Sequence, residues 1–225
     1  LDHCGRIPLL ANRGFNGEII TTAASRELAR LVMMDSAGLQ EEEGRYRNRR
    51  ARRRGREETF QALYSTLDTF DALEYFGRKA HYDEPLQLAP GIRATFFDAG
   101  HILGSAFVLI RAHENGRDLR LCYTGDIGRF DKPIIKDPTM DFNEEDRQID
   151  LMIMESTYGD RTHEPVRDLK PQLKKILSET HERGGAVIIP AFAYGRTQEL
   201  LYEIRRPVNT DGGTIPRAFQ NRTEL

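Results

Sequence analysis

The sequence contains little cysteine: only Cys4 and Cys122 occur among 225 residues. Two widely separated cysteines exclude a disulfide-stapled secreted scaffold and predict a protein of the reducing cytoplasm. No apolar run reaches the ~18 residues of a transmembrane helix, so no membrane partner is predicted. The sequence also lacks a large excess of charge of either sign, since 33 basic and 35 acidic residues give a net charge of −2. This excludes a general nucleic-acid coat protein but allows a local basic groove, because phosphate attraction depends on where the charges lie.

Short apolar segments predict a protein of mixed strands and helices. Residues 17–22 predict a strand, and Ser25 is a candidate N-cap for the helix that follows it. Apolar residues spaced three and four apart from Phe60 to Leu73 predict a second amphipathic helix. Further strands are predicted at residues 92–98, 106–112, 119–124 and 149–154, with a hairpin turn at 114–117.

The pattern changes after Gly159. Residues 167–182 predict a helix that ends at the glycine pair 184–185, and residues 186–192 have the apolar composition of a buried strand. A further helix is predicted from about residue 196 to residue 204. This order is a β-turn-α unit, which is typical of an α/β domain.

Four short motifs carry potential metal ligands or catalytic carboxylates. They are Asp2-His3-Cys4-Gly5, Phe97 to Ser105, Tyr123 to Gly128, and Ile153 to Asp160. The last three each follow an apolar, strand-like run. Carboxylate and imidazole ligands at strand ends suit zinc or a similar divalent ion, and glycines beside His101 and Asp126 let the backbone approach a crowded centre. Together the motifs predict metal-assisted hydrolysis.

In order and spacing these motifs resemble the β-CASP branch of the metallo-β-lactamase-fold hydrolases, and in particular its RNA-processing members. The resemblance covers residues 1 to about 204, and the segment Glu155 to Gly159 separates this branch from small-molecule members of the fold. It implies an α/β (α+β) fold. Residues 1–160 would form an incomplete αββα sandwich, and residues 161–225 would begin an inserted α/β β-CASP domain.

The resemblance also implies roles for individual residues. Asp2 and His3 would bind the second of two zinc ions, His101 would bind the first, and Asp126 would bridge both. A hydroxide held between two metal ions roughly 3.5–4 Å apart would attack the scissile phosphorus. Glu155 matches an acidic motif that orients a proton-donating histidine, so Asp2, Asp126 and Glu155 are the candidate catalytic residues.

The resemblance further predicts that the chain is a fragment lacking both flanks. Asp2-His3 is the back half of the pattern H-x-H-x-D-H, whose first two histidines would precede Leu1. The proton-donating histidine and a late zinc-binding histidine have no match either, and residues 205–225 depart from the family pattern. The isolated chain is therefore expected to bind zinc weakly or not at all.

Two basic features are candidates for contact with RNA. Arg196 and Thr197 lie at a predicted helix N-terminus just beyond a strand, where backbone N–H groups and an arginine can hold a phosphate. The alternative is that Thr197 simply caps the helix. Eight arginines between residues 45 and 56 form either an RNA-binding surface or a solvated helix with i,i+4 ion pairs. The predicted pairs are Glu41–Arg45, Glu43–Arg47, Arg53–Glu57 and Arg54–Glu58. His163 follows the Glu155 motif and is a weaker candidate to line the cleft.

The leading prediction is a cytoplasmic, zinc-dependent ribonuclease that cleaves phosphodiester bonds in single-stranded RNA. Cleavage within the RNA or from one end both remain open. Its predicted partner is single-stranded RNA, and it would act as a homodimer or as a subunit of a processing complex. The alternatives are a small-molecule hydrolase acting on a thioester, lactone or lactam, and a catalytically inactive RNA-binding scaffold subunit. The intact ligand motifs favour an active enzyme over the scaffold.

Overall fold

The computed structural model describes residues 3–56, 59–162 and 169–210, which form a mixed α+β structure. The strands are β1 (Ile19–Thr22), β2 (Phe76–Ala80), β3 (Pro85–Ala89), β4 (Ile92–Asp98), β5 (Ala106–Glu114), β6 (Arg117–Tyr123) and β7 (Leu151–Ile153). The helices are α1 (Ile7–Asn12), α2 (Ala23–Arg53), α3 (Thr66–Leu73), α4 (Glu144–Arg147), α5 (Leu169–Glu182) and α6 (Arg196–Thr210). The predicted strands β1, β4, β5, β6 and β7 are confirmed, whereas β2 and β3 were not predicted.

The strands form a two-stranded parallel sheet, β1-β2, and a five-stranded sheet in the order β3-β4-β5-β6-β7. Neighbours in the larger sheet are antiparallel except β6 and β7, which are parallel. The predicted hairpin turn is present between β5 and β6, where Asn115 and Gly116 both have positive φ. Two consecutive left-handed residues match the twist of the flanking strands.

The larger sheet is packed around a small aromatic core. Phe97 of β4 and Phe107 of β5 are opposite each other in the register, with ring centroids 5.6 Å apart. Phe142 packs edge-on against Phe97 at 5.2 Å. Ala99, Leu109 and Cys122 complete the buried cluster. Because this core is formed by β4, β5 and β6, it fixes the strands from which the motif loops leave.

Helix α2 includes six of the eight arginines of the basic segment. Its N-cap is Thr22, whose hydroxyl accepts a hydrogen bond from Ser25 N, so the prediction of Ser25 as the cap is wrong. The helix continues through the charged segment to Arg53. The predicted i,i+4 pairs Glu41–Arg45 and Glu43–Arg47 are present, at 3.9 and 2.6 Å. The predicted partners Glu57 and Glu58 lie outside the described residues.

The second helix was expected from Phe60 to Leu73 and is shorter in the structure, where α3 begins at Thr66. Ser65 and Asp68 form a capping box that fixes this start. The preceding segment instead binds α2: the Asn48 side chain accepts a hydrogen bond from Phe60 N and donates one to Phe60 O. The apolar spacing therefore predicted too long a helix. Phe60 fits the helical spacing, but its position is set by tertiary contacts with α2 and not by a helical turn.

The predicted buried strand at residues 186–192 is not observed. These residues adopt no regular strand, and Ile188 and Phe192 are 91% and 86% exposed. A strand requires a hydrogen-bonded neighbour, and none pairs with this segment among the described residues. The helix predicted after it is confirmed as α6, which continues to Thr210 beyond the predicted end at about residue 204. Within the described residues, each helix is too short or too polar to span a lipid bilayer.

A candidate metal and catalytic site at one edge of the sheet

Three of the motifs lie at the same edge of the five-stranded sheet. Asp98 at the end of β4 pairs with Ala106 at the start of β5, and Tyr123 at the end of β6 pairs with nearby Val108. Since β7 is parallel to β6 and Ile153 pairs with Tyr123, β7 ends there too. The loops that follow β4, β6 and β7 carry His101, Asp126 and Glu155 respectively. The strand order thus gathers side chains that are distant in sequence.

Two histidines approach one oxygen of Asp126. His3 Nε2 is 3.5 Å from Asp126 Oδ2, and His101 Nε2 is 3.7 Å from the same atom. About a third of the His101 and Asp126 side chains is exposed, so the group is open to solvent. The structure thus brings together three of the four predicted ligands. The fourth, Asp2, lies outside the described residues.

The side chains gathered here are of types that bind divalent metal ions. Two imidazole nitrogens facing a carboxylate oxygen are ligands typical of zinc. Within residues 3–56, 59–162 and 169–210, however, no group of three or more His, Cys, Asp or Glu side chains is arranged to hold a metal ion. The described residues therefore fit zinc in donor type and form only part of a ligand set.

Glu155 binds the backbone of Ile127, the residue after Asp126, and a lowered pKa keeps it an ionised carboxylate. Its Oε1 accepts a hydrogen bond from Ile127 N at 2.6 Å. That bond is the main cause of a lowered pKa for Glu155; hydrogen bonds from Thr157 and the charge of His101 also lower it, against the opposing effect of burial. A carboxylate with a lowered pKa is a poor proton donor near neutral pH. Glu155 can therefore accept hydrogen bonds and orient a neighbour, but it is not suited to protonate a leaving group.

The loop between β4 and β5, residues 99–105, is the His101 loop. It is fixed internally by Ser105, whose Oγ accepts hydrogen bonds from His101 N at 3.1 Å and Ile102 N at 3.2 Å. Tyr82 donates its hydroxyl to Ser105 O at 2.9 Å. Burial, and then the charge of Asp98, raises the pKa of Tyr82 to about 12, so this donor keeps its proton.

The start of α2 holds the other end of the His101 loop. The hydroxyls of Thr22 and Ser25 both donate to Gly104 O at 2.8 Å. Gly104 has a φ of +86°, a conformation that favours glycine, and an added Cβ would lie 2.7 Å from Ser25 N. Ser25 therefore contributes to the site rather than to the helix cap.

The Asp126 loop packs directly on the His101 loop. Gly128 N donates to Ala99 O at 2.7 Å. A Cβ on Gly128 would overlap the carbonyl group of Gly100, so the two backbones are in contact. The two loops that carry His101 and Asp126 are thus positioned relative to each other by backbone packing as well as by side chains.

The predicted phosphate-binding pair lies at the start of α6. Arg196 is paired with Glu199 of the same helix at 3.0 Å, while 57% of its side chain remains exposed. Thr197 donates its hydroxyl to Phe192 O at 2.6 Å, and Gly195 N donates to the side chain of Gln198 at 2.7 Å. Part of this helix end is therefore satisfied internally. The phosphate contact stays a prediction, and His163 lies outside the described residues.

Sequence patterns missed a lysine behind the His101 loop. Lys132 Nζ donates to His101 O at 2.7 Å and is 3.0 Å from Glu199 Oε1. Neither Lys132 nor Glu199 belongs to a motif, and Lys132 contacts residues that are 31 and 67 positions away in sequence. No local signal could have identified this pair.

The chain is similar to several curated proteins, although no family model matches it. It is 33% identical over 218 residues to ribonuclease TTHA0252 of Thermus thermophilus, covering 97% of this chain and 43% of that protein. It is 31% identical to the probable RNase MJ4 of Methanocaldococcus jannaschii, covering 96% of this chain and 46% of the relative. The transcription termination factor FttA of the same organism is 30% identical over 93% of this chain and 30% of its own length.

These relatives are homologues named for cleaving RNA or for terminating transcription. The similarity extends over nearly all of this chain rather than over one motif. The chain spans less than half of the length of each of these three relatives.

Proposed function

We propose that this chain belongs to the RNA-processing β-CASP branch of the metallo-β-lactamase-fold hydrolases and cleaves phosphodiester bonds in single-stranded RNA. The observation that carries the proposal is the approach of His3 and His101 to a single oxygen of Asp126. These residues come from three separate motifs, and their convergence is the arrangement expected of a metal-dependent hydrolase.

The homologues support RNA as the substrate class. Two of them are named as ribonucleases, and both align with at least 96% of this chain. Neither the site geometry nor the similarity favours a thioester, lactone or lactam substrate. The retention of His3, His101 and Asp126 in one place supports an enzyme over an inactive scaffold.

Asp2, His3, His101 and Asp126 would hold two zinc ions. When bound, the zinc ions supply an activated water and neutralise the charge that develops on the phosphate. The Asp126 carboxylate faces both His3 and His101. Glu155 stays ionised and accepts the Ile127 N–H, so the leaving oxygen must take its proton from another group.

The same proposal assigns the fold. Residues 1–160 would form an αββα sandwich, and residues 161–225 would begin the second, inserted domain. Support comes from the presence of two sheets, with α2 packed on the smaller sheet and the motif loops leaving one edge of the larger sheet. Arg196 and Thr197, at the start of α6, are the proposed contacts for RNA phosphates, and the cytoplasm is the proposed location.

A second candidate function is action on transcripts during transcription. The similarity to FttA favours it, although the chain covers only 30% of that protein. The two functions differ in what they require: a ribonuclease cleaves purified RNA, whereas a termination factor acts on a transcribing complex.

The test is cleavage of end-labelled single-stranded RNA by protein produced from the complete gene. We expect cleavage that stops when zinc is chelated and returns when zinc is added back. Products of intermediate length indicate internal cuts, and progressive shortening indicates cleavage from one end. Cleavage that persists under chelation, or hydrolysis of a thioester with no action on RNA, would contradict the proposal.

A further inference from the structure

A nearly buried lysine–glutamate pair lies directly behind the His101 loop. Lys132 Nζ is 2.7 Å from His101 O and 3.0 Å from Glu199 Oε1. Only 14% and 9% of the two side chains are exposed. Desolvating two charges is costly, and the cost is offset only when the geometry satisfies both partners. Here the lysine binds the backbone of a proposed metal ligand as well as the glutamate.

The residues around Glu199 contact the same loop a second time. Tyr194 donates its hydroxyl to Leu103 O at 3.3 Å. Gly195 lies so close to the loop that an added Cβ would be 3.1 Å from Ile102 Cγ2. The segment 194–199 therefore reaches the His101 loop on both sides of Ile102, directly through Tyr194 and indirectly through Lys132.

The glutamate is shared between two cations. Its Oε1 faces Lys132, and its Oε2 is 3.0 Å from Arg196 Nη1. Because Glu199 is held by its own helix on one side, it can fix the lysine on the other. An unpaired lysine side chain would lose rotational freedom about several bonds in order to reach His101 O. Pairing with Glu199 reduces that entropic loss.

We propose that Lys132 is a positioning residue for His101 and that Glu199 holds Lys132 in place. This inference rests on the proposed function, since His101 is a ligand only if the site binds metal. Holding the carbonyl of His101 fixes the backbone from which the imidazole projects. The start of α6, which carries the proposed RNA contacts Arg196 and Thr197, is thereby coupled to a metal ligand.

The test compares Lys132→Met with Lys136→Met, the same substitution at an exposed lysine four residues further along the loop. Groups that orient metal ligands typically change metal affinity or activity by about 10–100-fold when they are removed. For Lys132→Met we expect kcat to fall and zinc to bind more weakly by about tenfold each, with KM for RNA within about twofold of wild type. Lys136→Met should match wild type in all three.

Two further measurements separate positioning from general stability. In metal-free protein, hydrogen exchange at residues 99–105 should accelerate in Lys132→Met while exchange in the β5–β6 hairpin stays unchanged. Lys132→Arg, which keeps a charged donor, should recover most of the lost kcat. If Lys132→Met does not fold, Glu199→Gln decides the question, because it keeps the shape and removes the charge that holds Lys132 and Arg196. A fall in kcat and zinc affinity with unchanged KM for RNA would support the role of Lys132, whereas a change confined to KM would assign the effect to Arg196 and overturn the positioning role.

The outcomes for the two proposals are distinct. A wild-type protein that neither binds zinc nor cleaves RNA would overturn the proposed function, and this inference with it. An active wild type, with Lys132→Met or Glu199→Gln showing unchanged kcat, zinc affinity and loop exchange, would overturn the positioning role alone. A lower melting temperature with unchanged kcat and zinc affinity would also overturn it, since the pair would then be only a structural link.

Discussion

The contact between the His101 and Asp126 loops makes Gly128→Ala the most informative single substitution. A Cβ at Gly128 would overlap the Gly100 carbonyl and lie 2.6 Å from His101 N, whereas real Cβ contacts are essentially never below 3.0 Å. The His101 loop has little room to retreat, because a Cβ on Gly100 would in turn lie 2.5 Å from Pro138 N. The added methyl group must therefore separate two backbones that carry proposed ligands.

The substitution is expected to lower both the stability and the activity of the protein. Overpacking of this kind costs about 1–3 kcal/mol of unfolding free energy. A displacement on the order of 1 Å between catalytic groups costs on the order of 100-fold in rate. We therefore expect Gly128→Ala to remain folded while losing about two orders of magnitude in RNA cleavage.

Gly38→Ala is the matched control for this substitution. Gly38 lies inside α2, and nothing lies within 4 Å of its added Cβ. Alanine there should raise the unfolding free energy by about 0.5–1 kcal/mol without changing cleavage. The assays are urea unfolding and cleavage of end-labelled RNA. Wild-type cleavage by Gly128→Ala would refute the close packing of the two loops.

Three other predictions follow from the core, the helix α2 and the pH response. Leu109→Ala should lower the unfolding free energy by about 2–5 kcal/mol in urea, since the side chain is 2% exposed; a loss well below that range would mean that the sheet core is not closely packed. Replacing Arg49, Arg50 and Arg52 with Gln should reduce the slope of log affinity for single-stranded RNA against log salt by about 2, at about 0.7 per contact. An unchanged slope would leave these exposed arginines as a solvated helix face. Because the folded pKa of Glu155 is lowered, its contribution to stability is present above the ordinary carboxyl pKa and is lost as pH falls through the lowered value. Glu155→Gln should therefore flatten the rise of unfolding free energy from acidic to neutral pH, and an identical pH dependence in both proteins would contradict the lowered pKa.

The motif residues were the most predictable part of the structure. Strand-like runs before His101, Asp126 and Glu155 indicated where β4, β6 and β7 end, and the strand order then placed these ends at one edge. The hairpin at residues 114–117 was also predictable, because an Asn-Gly pair specifies its turn. These signals are local in sequence and were therefore available to pattern analysis.

Contacts between residues distant in sequence account for the predictions that were wrong. Ser25 is a good helix cap by residue type, but its hydroxyl is used to bind Gly104 O, 79 residues away, and Thr22 caps the helix instead. Residues 186–192 have a strand-like composition, yet composition does not supply a pairing partner. The contacts of Lys132 with the His101 carbonyl and with Glu199 depend on the folded arrangement of three segments.

The most direct measurement compares Asp126→Asn with Asp118→Asn, using protein produced from the complete gene. Asp126 faces both His3 and His101, whereas Asp118 is 66% exposed and pairs with His113 on the β5–β6 hairpin. The proposed function predicts that Asp126→Asn folds, loses bound zinc and no longer cleaves single-stranded RNA, while Asp118→Asn keeps both properties. Full zinc content and cleavage in Asp126→Asn would contradict the account, because the carboxylate that both histidines approach would then have no part in the chemistry.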